Sequence, residues 1–483
     1  MIIESFLFDQ LTPVALYGEI KKAFGDEISM LFESVVTSED GNFSFIALGA
    51  KERLIYKEHQ TIFIDQEGKK SSLDIDPFSF LQEYYNKIDQ NHYKNLSQKV
   101  GFRFVDGFIG FIAYDMVKVF EPTLHKFMDD LADNLETPDL DLIRPKIIIG
   151  YSHKSSQLTI IDIDSSNQDI FEQIKSLLPK AHQLMPFTPA KLDGEGEFSI
   201  SAERFKEIVK EAKEHIRAGD VFQMLPSNRY IQKGSVEPLS FYRVLRAKNP
   251  SPYLFLLDYE DFSICGSSPE VMVRLTDGEI LLRPIAGTRK RGKNSQRDYE
   301  LELEMLNDPK ECAEHLMLVD LGRNDVGRVA KTGTVKVPEM MRVEKYSHVM
   351  HMVSDVVGII DDDKDMFDLF RATFTAGTMT GAPKIKAMEL IAKFERLKRG
   401  FYSGSVGYFA FTGDMDSAIA IRTSLIKDDF IVLQAGAGVV ADSKPELEEL
   451  EVRNKLMALL ATLKDMENFE DKTSIIKIKS IKE

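Results

Sequence analysis

The alternation of apolar and polar positions predicts a first part that mixes short strands and helices. SFIALGAKERLIY (44–56) reads as a strand that turns at Gly49 into a second one. GFIGFIAYD (107–115) is apolar and punctuated by glycine, as buried strands are. IRPKIIIGYS followed by SQLTIIDID (143–164) reads as a hairpin. The period lapses over 179–198, where prolines and glycines mark a linker or a long surface excursion. SAERFKEIVKEAKEHIRAGD (201–220) then predicts a helix. Ser201 serves as N-cap, Phe205, Ile208, Val209, Ala212 and Ile216 share one face, and Gly219 ends it. Strands are expected over 251–258, 271–275 and 279–285, and a helix over about 297–317. A last helix starts near SKPELEELEVRNK and runs to about 465. Ser443 and Glu446 suit a capping box, Pro445 suits the first turn, and Val452, Leu456, Leu459, Leu460 and Leu463 form its apolar face. KTSIIKIKSIKE reads as a short strand or a frayed tail. The expected organisation is an N-terminal region (1–180), a linker (181–200), a main unit (201–465) and a tail (466–483).

Composition narrows the picture. A chain of 483 residues with 43% hydrophobic content can bury a large core. The net charge of −16 argues against wholesale binding to nucleic acid or an anionic membrane, yet permits a local basic pocket. Two cysteines, Cys265 and Cys312, imply a reducing compartment without a disulfide framework. MIIESFLFDQLTP has no basic leader, and no uncharged apolar run approaches the roughly 20 residues of a membrane span. The expectation is a cytoplasmic globular protein.

Several short patterns could carry chemistry. On a helix, Glu311 and Glu314 share a face, as do Glu448, Glu451 and Lys455. Two such carboxylate pairs could hold Mg²⁺, which prefers oxygen ligands; equally, Glu451 and Lys455 could be an exposed i,i+4 pair. FTAGTMTGAPKIKA (374–387) lacks the Gly-x4-Gly-Lys-Ser/Thr of a phosphate loop, so an anion nest and a tight turn both stand. In LQAGAGVVADS, Gly436 and Gly438 suit either a close backbone approach to a carboxylate or a bulge. His351 could be a general base or a core histidine. Arg422 and Tyr402 could bind a carboxylate. The RKRGK run after Thr288 reads as a solvated loop.

In order, PIAGTRKRG, ECAEHLMLVDLGRND, TFTAGTMTGAPKIKAM, GSVGYF and AGAGVVADSKPELEELEVRNK resemble the chorismate-utilising enzymes over about 201–456. TPVALYGEI, MLFESV, GFIGFIAYDMVKVFEP and NPSPYLFLL are similar to the anthranilate synthase component I branch. The resemblance implies an α+β fold, with large antiparallel sheets flanked by helices and the active site in a cleft between them. It also implies Mg²⁺ held directly by Glu314 and Glu451, and through water by Glu311 and Glu448. Lys455, Thr378 and the backbone at Ala437–Gly438 match positions that bind the ring carboxylate of chorismate. Arg422 and Tyr402 match those that hold the enolpyruvyl carboxylate, and Gly287 and Thr288 border the substrate. Glu270 matches the acid at the departing C4 hydroxyl, so it is expected to be buried and protonated; His351 matches the group near C2.

Two positions separate members of this family. Water-adding relatives carry a Lys where this chain has Gln223, and the aminodeoxychorismate branch reads PIKGT where this chain has Ala286. Both differences imply amination at C2 and pyruvate loss, giving anthranilate. The alternatives are aminodeoxychorismate synthesis and a non-catalytic tryptophan sensor. Neither cysteine sits in a Gly-x-Cys-x-Gly setting, which implies that ammonia comes from a separate glutamine amidotransferase subunit. Glu33, Ser34, Pro252, Tyr253 and Leu254 match a tryptophan feedback site; Asn42 stands where a basic residue is common.

Overall fold

The computed structural model describes residues 1–34, 43–346 and 349–469. The expectations for Asn42 and for KTSIIKIKSIKE lie outside the described residues. The fold is α+β, and twenty of its strands join in one sheet system, paired antiparallel throughout their named registers and flanked by helices.

The N-terminal part supplies β1 (Ser29–Glu33), β2 (Phe43–Lys57), β3 (Gly107–Ile112), β4 (Leu140–Ser152) and β5 (Gln157–Asp162). β4 and β5 make the expected hairpin, with Ile149 opposite Ile160. β2 corrects one expectation. It does not turn at Gly49 but runs on as one strand against β4, absorbing an irregularity between Ala50 and Glu52. A bulge bends a strand without ending its ladder.

α1 (Ala202–Arg217) is capped by Ser201, whose side chain accepts from Arg204 N–H, and it buries Phe205, Ile208, Val209 and Ala212. Within 181–200, two short strands, Lys191–Leu192 and Glu197–Phe198, pair with β6 (Ser227–Ser235). β7 (Tyr253–Asp258), β8 (Ser263–Ser268) and β9 (Val271–Thr276) follow, and β10 (Ile285–Lys290) leaves the large sheet.

The helix expected over 297–317 is two. α2 (Ser295–Leu306) ends before Pro309, which cannot donate to the preceding turn. α3 (Pro309–Gly327) restarts there, with the Asp308 carboxylate accepting from Lys310 and Glu311 N–H. β10, β11 (Arg342–Lys345) and β12 (Val349–Val353) form a separate three-stranded sheet. The RKRGK run is therefore partly strand rather than a loop.

α4 (Lys384–Glu395) precedes β13 (Ser405–Ala410), β14 (Met415–Ile419), β15 (Thr423–Ile426) and β16 (Phe430–Gly436). α5 (Pro445–Glu467) is the expected last helix, but Lys444 is its N-cap. The Ser443 hydroxyl accepts from Val440 N–H, so no capping box forms.

Regions 1–180 and 201–465 share the large sheet. β1 lies between β2 and β7, and β3 lies between β4 and β13. Two large apolar cores form around it, one containing Phe78, Phe108 and Phe370, the other Phe205, Phe241 and Leu456. A third, small core of Met305, Met350 and Met352 seats the three-stranded sheet on α2.

Candidate active site

The residues singled out in the sequence collect where the three-stranded sheet, α3, α5 and the ends of β8 and β16 meet. Glu270 follows β8 and is buried. Thr378, in the short helix Gly377–Thr380, donates its hydroxyl to Glu270 Oε1 at 2.9 Å. Burial pushes the Glu270 carboxyl up to about 8, against the pull of that hydrogen bond and of Arg422 and Lys455. Arg422 stands at φ 50° after β14, and burial lowers its affinity for the proton while Glu270 and Tyr346 oppose the effect.

His351 on β12 faces Thr288 on β10 across the ladder. Its Nδ1 lies 3.1 Å from the Gly287 carbonyl and 3.0 Å from Thr288 Oγ1. A carbonyl only accepts, so Nδ1 carries the proton and Nε2 presents a lone pair. Burial lowers the His351 pKa, which keeps the ring neutral at pH 7. Gly287 has φ +61°, and a Cβ there would come within 3.2 Å of Glu311 Oε2 and of Met305 Sδ.

Gln223 donates from Nε2 to Glu314 Oε1 at 2.8 Å, while its own Oε1 is buried without a partner. Gly438 closes over this pair: a Cβ there would lie 2.7 Å from Gln223 Nε2. Glu314 and Glu448 both have raised pKa values, through burial first and then through neighbouring carboxylates, Glu311 and Glu451 for the former and Glu451 for the latter. Glu314 thus feels the charge of Glu311 and Glu451, and Glu448 that of Glu451. Lys455 Nζ bridges Glu451 Oε1 and the Gly436 carbonyl, 2.8 Å from each. Tyr402 is buried, with its hydroxyl beside Gly436. The Ala437 N–H is taken by the Pro226 carbonyl.

A concavity of about 760 Å³ opens beside the segment that carries Glu270, lined by the flanking Pro269 and Val271. Glu33, Ser34, Pro252 and Tyr253 line it. Leu254 does not. Successive strand residues face opposite ways, and Leu254 packs in the core with Phe241 instead. Glu33 is held by Tyr242 Oη at 2.6 Å and Arg246 Nε at 2.8 Å.

Some contacts went unread in the sequence. Arg289, from the basic run, reaches Glu304, Asp308 and Glu311, the last at 2.9 Å. Tyr346 sets its ring against His351. Apart from the site, His59, His125 and Asp129 bring ligand atoms within 4.8 Å of one another and could hold a metal ion. Among the described residues, no helix is long and apolar enough to cross a membrane.

A chorismate binding enzyme family model matches residues 32–461. Anthranilate synthase component 1 of Aquifex aeolicus is 40% identical over 480 residues, covering 96% of this chain and 94% of that protein. The crystal structure of anthranilate synthase component I from Streptococcus pneumoniae superposes with a TM-score of 0.76 at 32% identity, covering 94% of this chain and 99% of that one. The menaquinone-specific isochorismate synthase of Escherichia coli, at 17% identity and TM-score 0.70 over 96% of this chain and 94% of its own, shares the fold. By family model, by sequence over nearly its whole length and by fold, the chain belongs to the chorismate-utilising enzymes, in the anthranilate synthase component I family.

Proposed function

We propose that the protein is the large subunit of an anthranilate synthase, which aminates chorismate at C2 with ammonia and then eliminates pyruvate. The observation that carries this reading is Glu270, a buried carboxyl held protonated near neutrality beside Thr378 and Arg422. Hydroxide is a poor leaving group, so a neutral acid is what departure of the C4 hydroxyl requires. As the ammonia nitrogen bonds to C2, the two ring double bonds shift and the C4–O bond breaks. Glu270 gives its proton to the departing oxygen, which leaves as water. His351 Nε2 then takes the C2 proton, the C2–C3 double bond forms as the C3–O bond breaks, and the side chain departs as the enolate of pyruvate, which takes a proton at its methylene carbon to become pyruvate.

Arg422 and Tyr402 bind the enolpyruvyl carboxylate in this reading, with Lys455 and Thr378 on the ring carboxylate. Gln223 is an amide and a feeble base, adequate for ammonia, which is already a nucleophile. Ala286 offers no amine for covalent chemistry. The donor set of Glu311, Glu314, Glu448 and Glu451 fits Mg²⁺: it is all oxygen, and without a cation Glu451 repels both Glu314 and Glu448 while Glu311 repels Glu314. His59, His125 and Asp129, with two nitrogen donors, suit Mg²⁺ less well. When bound among the glutamates, Mg²⁺ supplies positive charge to the ring carboxylate.

Ammonia comes from a separate glutamine amidotransferase subunit, and tryptophan binds in the cavity at Glu33, Ser34, Pro252 and Tyr253 as a feedback inhibitor. The test is to mix the chain with chorismate, Mg²⁺ and ammonium and identify the product. Fluorescent anthranilate is expected. A 4-amino product, isochorismate or no turnover overturns the reading.

A further inference from the structure

The effector cavity and the candidate active site share two walls. In the connection from β8 to β9, Pro269 and Val271 line the cavity while Glu270 between them bonds to Thr378. The second wall is the three-stranded sheet. Glu344 and Tyr346 line the cavity from it, together with Glu33 and Tyr253. Glu344 also pairs in register with His351.

Tyr346 links the two spaces. Its hydroxyl donates to Glu344 Oε2 at 2.7 Å, on the cavity side. Its ring meets the His351 ring edge-on, with centroids 5.7 Å apart and planes at 60°. Glu344 is fixed in turn by Arg342, whose Nη2 donates to Oε1 at 2.8 Å and whose Nη1 donates to Asp355 Oδ2 at 2.8 Å. Asp355 takes a further bond from Arg283 Nε at 2.7 Å, and Arg283 also lines the cavity. The aromatic ring against His351 is therefore held by a carboxylate that an occupant of the cavity can touch.

We infer that Tyr346 is a positioning residue that transmits occupancy of this cavity to His351, through its bond to Glu344. The inference rests on the effector reading above. A ligand whose ammonium or indole N–H engages Glu344 competes with the Tyr346 hydroxyl for the same acceptor. Releasing that hydroxyl frees the ring to turn, and the ring packs against the imidazole. The Nδ1 contacts of His351 to Thr288 and Gly287 then no longer fix the direction of Nε2. The coupling needs no movement of the large sheet, because Glu344 and His351 pair on adjacent strands of one small sheet and Tyr346 directly follows the strand that carries Glu344. Coupling between two ligands is reciprocal, so chorismate must change the affinity for tryptophan by the same factor that tryptophan changes the affinity for chorismate.

That ratio is the readout. Calorimetric titration of the full chain with L-tryptophan is run with and without saturating chorismate, with Mg²⁺ present and ammonia withheld. The wild-type ratio of dissociation constants is expected to be about fivefold or more. In Tyr346→Phe the ring stays but its tie to Glu344 is lost, and the ratio falls to within about twofold of one. Glu344→Gln, of the same shape, gives the same result from the other partner. Ser34→Ala shifts both tryptophan affinities and keeps their ratio, which separates coupling from binding. An unchanged ratio in both Tyr346→Phe and Glu344→Gln overturns the inference and leaves the effector reading standing. No tryptophan binding to wild type overturns both.

Discussion

Replacing Glu270 by Gln tests the protonation state on which the chemistry depends. The folded carboxyl holds its proton to about 8 against 4.5 for an ordinary glutamate, so between those values the folded state binds more protons than the unfolded one. Stability from this group is therefore full below about 4.5 and is lost as pH rises through 8. Integrating the linkage between pH 5.5 and 8 gives a loss of about 3 kcal/mol, an upper figure because the buried site can relax. Gln keeps the shape and cannot ionise. Urea unfolding of both proteins at the two pH values should show Glu270→Gln gaining about 3 kcal/mol on wild type at the higher pH. Difference infrared spectra should show a protonated-carboxyl stretch in wild type that disappears near pH 8 and is missing from the variant. Turnover of the variant should fall by at least about 10²-fold, the usual range for a lost general acid. Parallel stability profiles, with no titrating carboxyl band, would refute the argument.

Further outcomes follow from single contacts. Gly438→Ala should push the Gln223 amide off Glu314, since the new Cβ meets Nε2 at 2.7 Å; kcat should fall while the melting temperature moves little. Glu451→Ala should weaken Mg²⁺ binding measured by calorimetry by more than about a hundredfold, beyond what loss of an outer partner does. Arg289→Gln should tighten it, because Glu311 then loses the guanidinium at 2.9 Å that competes for its charge.

The parts of the fold that are legible in the sequence are those set by near neighbours. The helix over 202–217 shows its cap, its face and its stop within twenty residues, and the 143–164 hairpin shows its turn. Gly49 misled because a lone glycine marks a turn and a bulge alike, and only the partner strand, with Ile147 opposite Leu48, decides between them. The single helix expected over 297–317 runs through Pro309, which in fact breaks it, and α3 continues through Gly322, where it packs on Leu282 and Val356 from elsewhere in the chain. The candidate site came through as residue types in order, so Glu270, His351 and the four glutamates could be named. Tyr346 against His351 and Arg289 against Glu311 could not, since both depend on how β10, β11 and β12 are registered and seated on α3. Leu254 shows why neighbours in sequence need not share a surface: it alternates with Tyr253 along β7, so Tyr253 lines the cavity while Leu254 packs in the core.

The interleaving of the large sheet also sets a timetable for synthesis. β3 lies beside β13, so its residues leave the ribosome roughly 300 residues before their partner. At roughly 5–20 residues per second that is a wait of about 15–60 s. Meanwhile Phe108, Ile109, Phe111 and Ile112 have no partner on that edge, and β1 waits likewise for β7. Such edges are templates for wrong pairing. Yield in the cell should therefore depend on elongation rate and on holding chaperones, and slow codons placed shortly after 112 should lengthen the hazardous interval, whereas slow codons after 410 should be harmless.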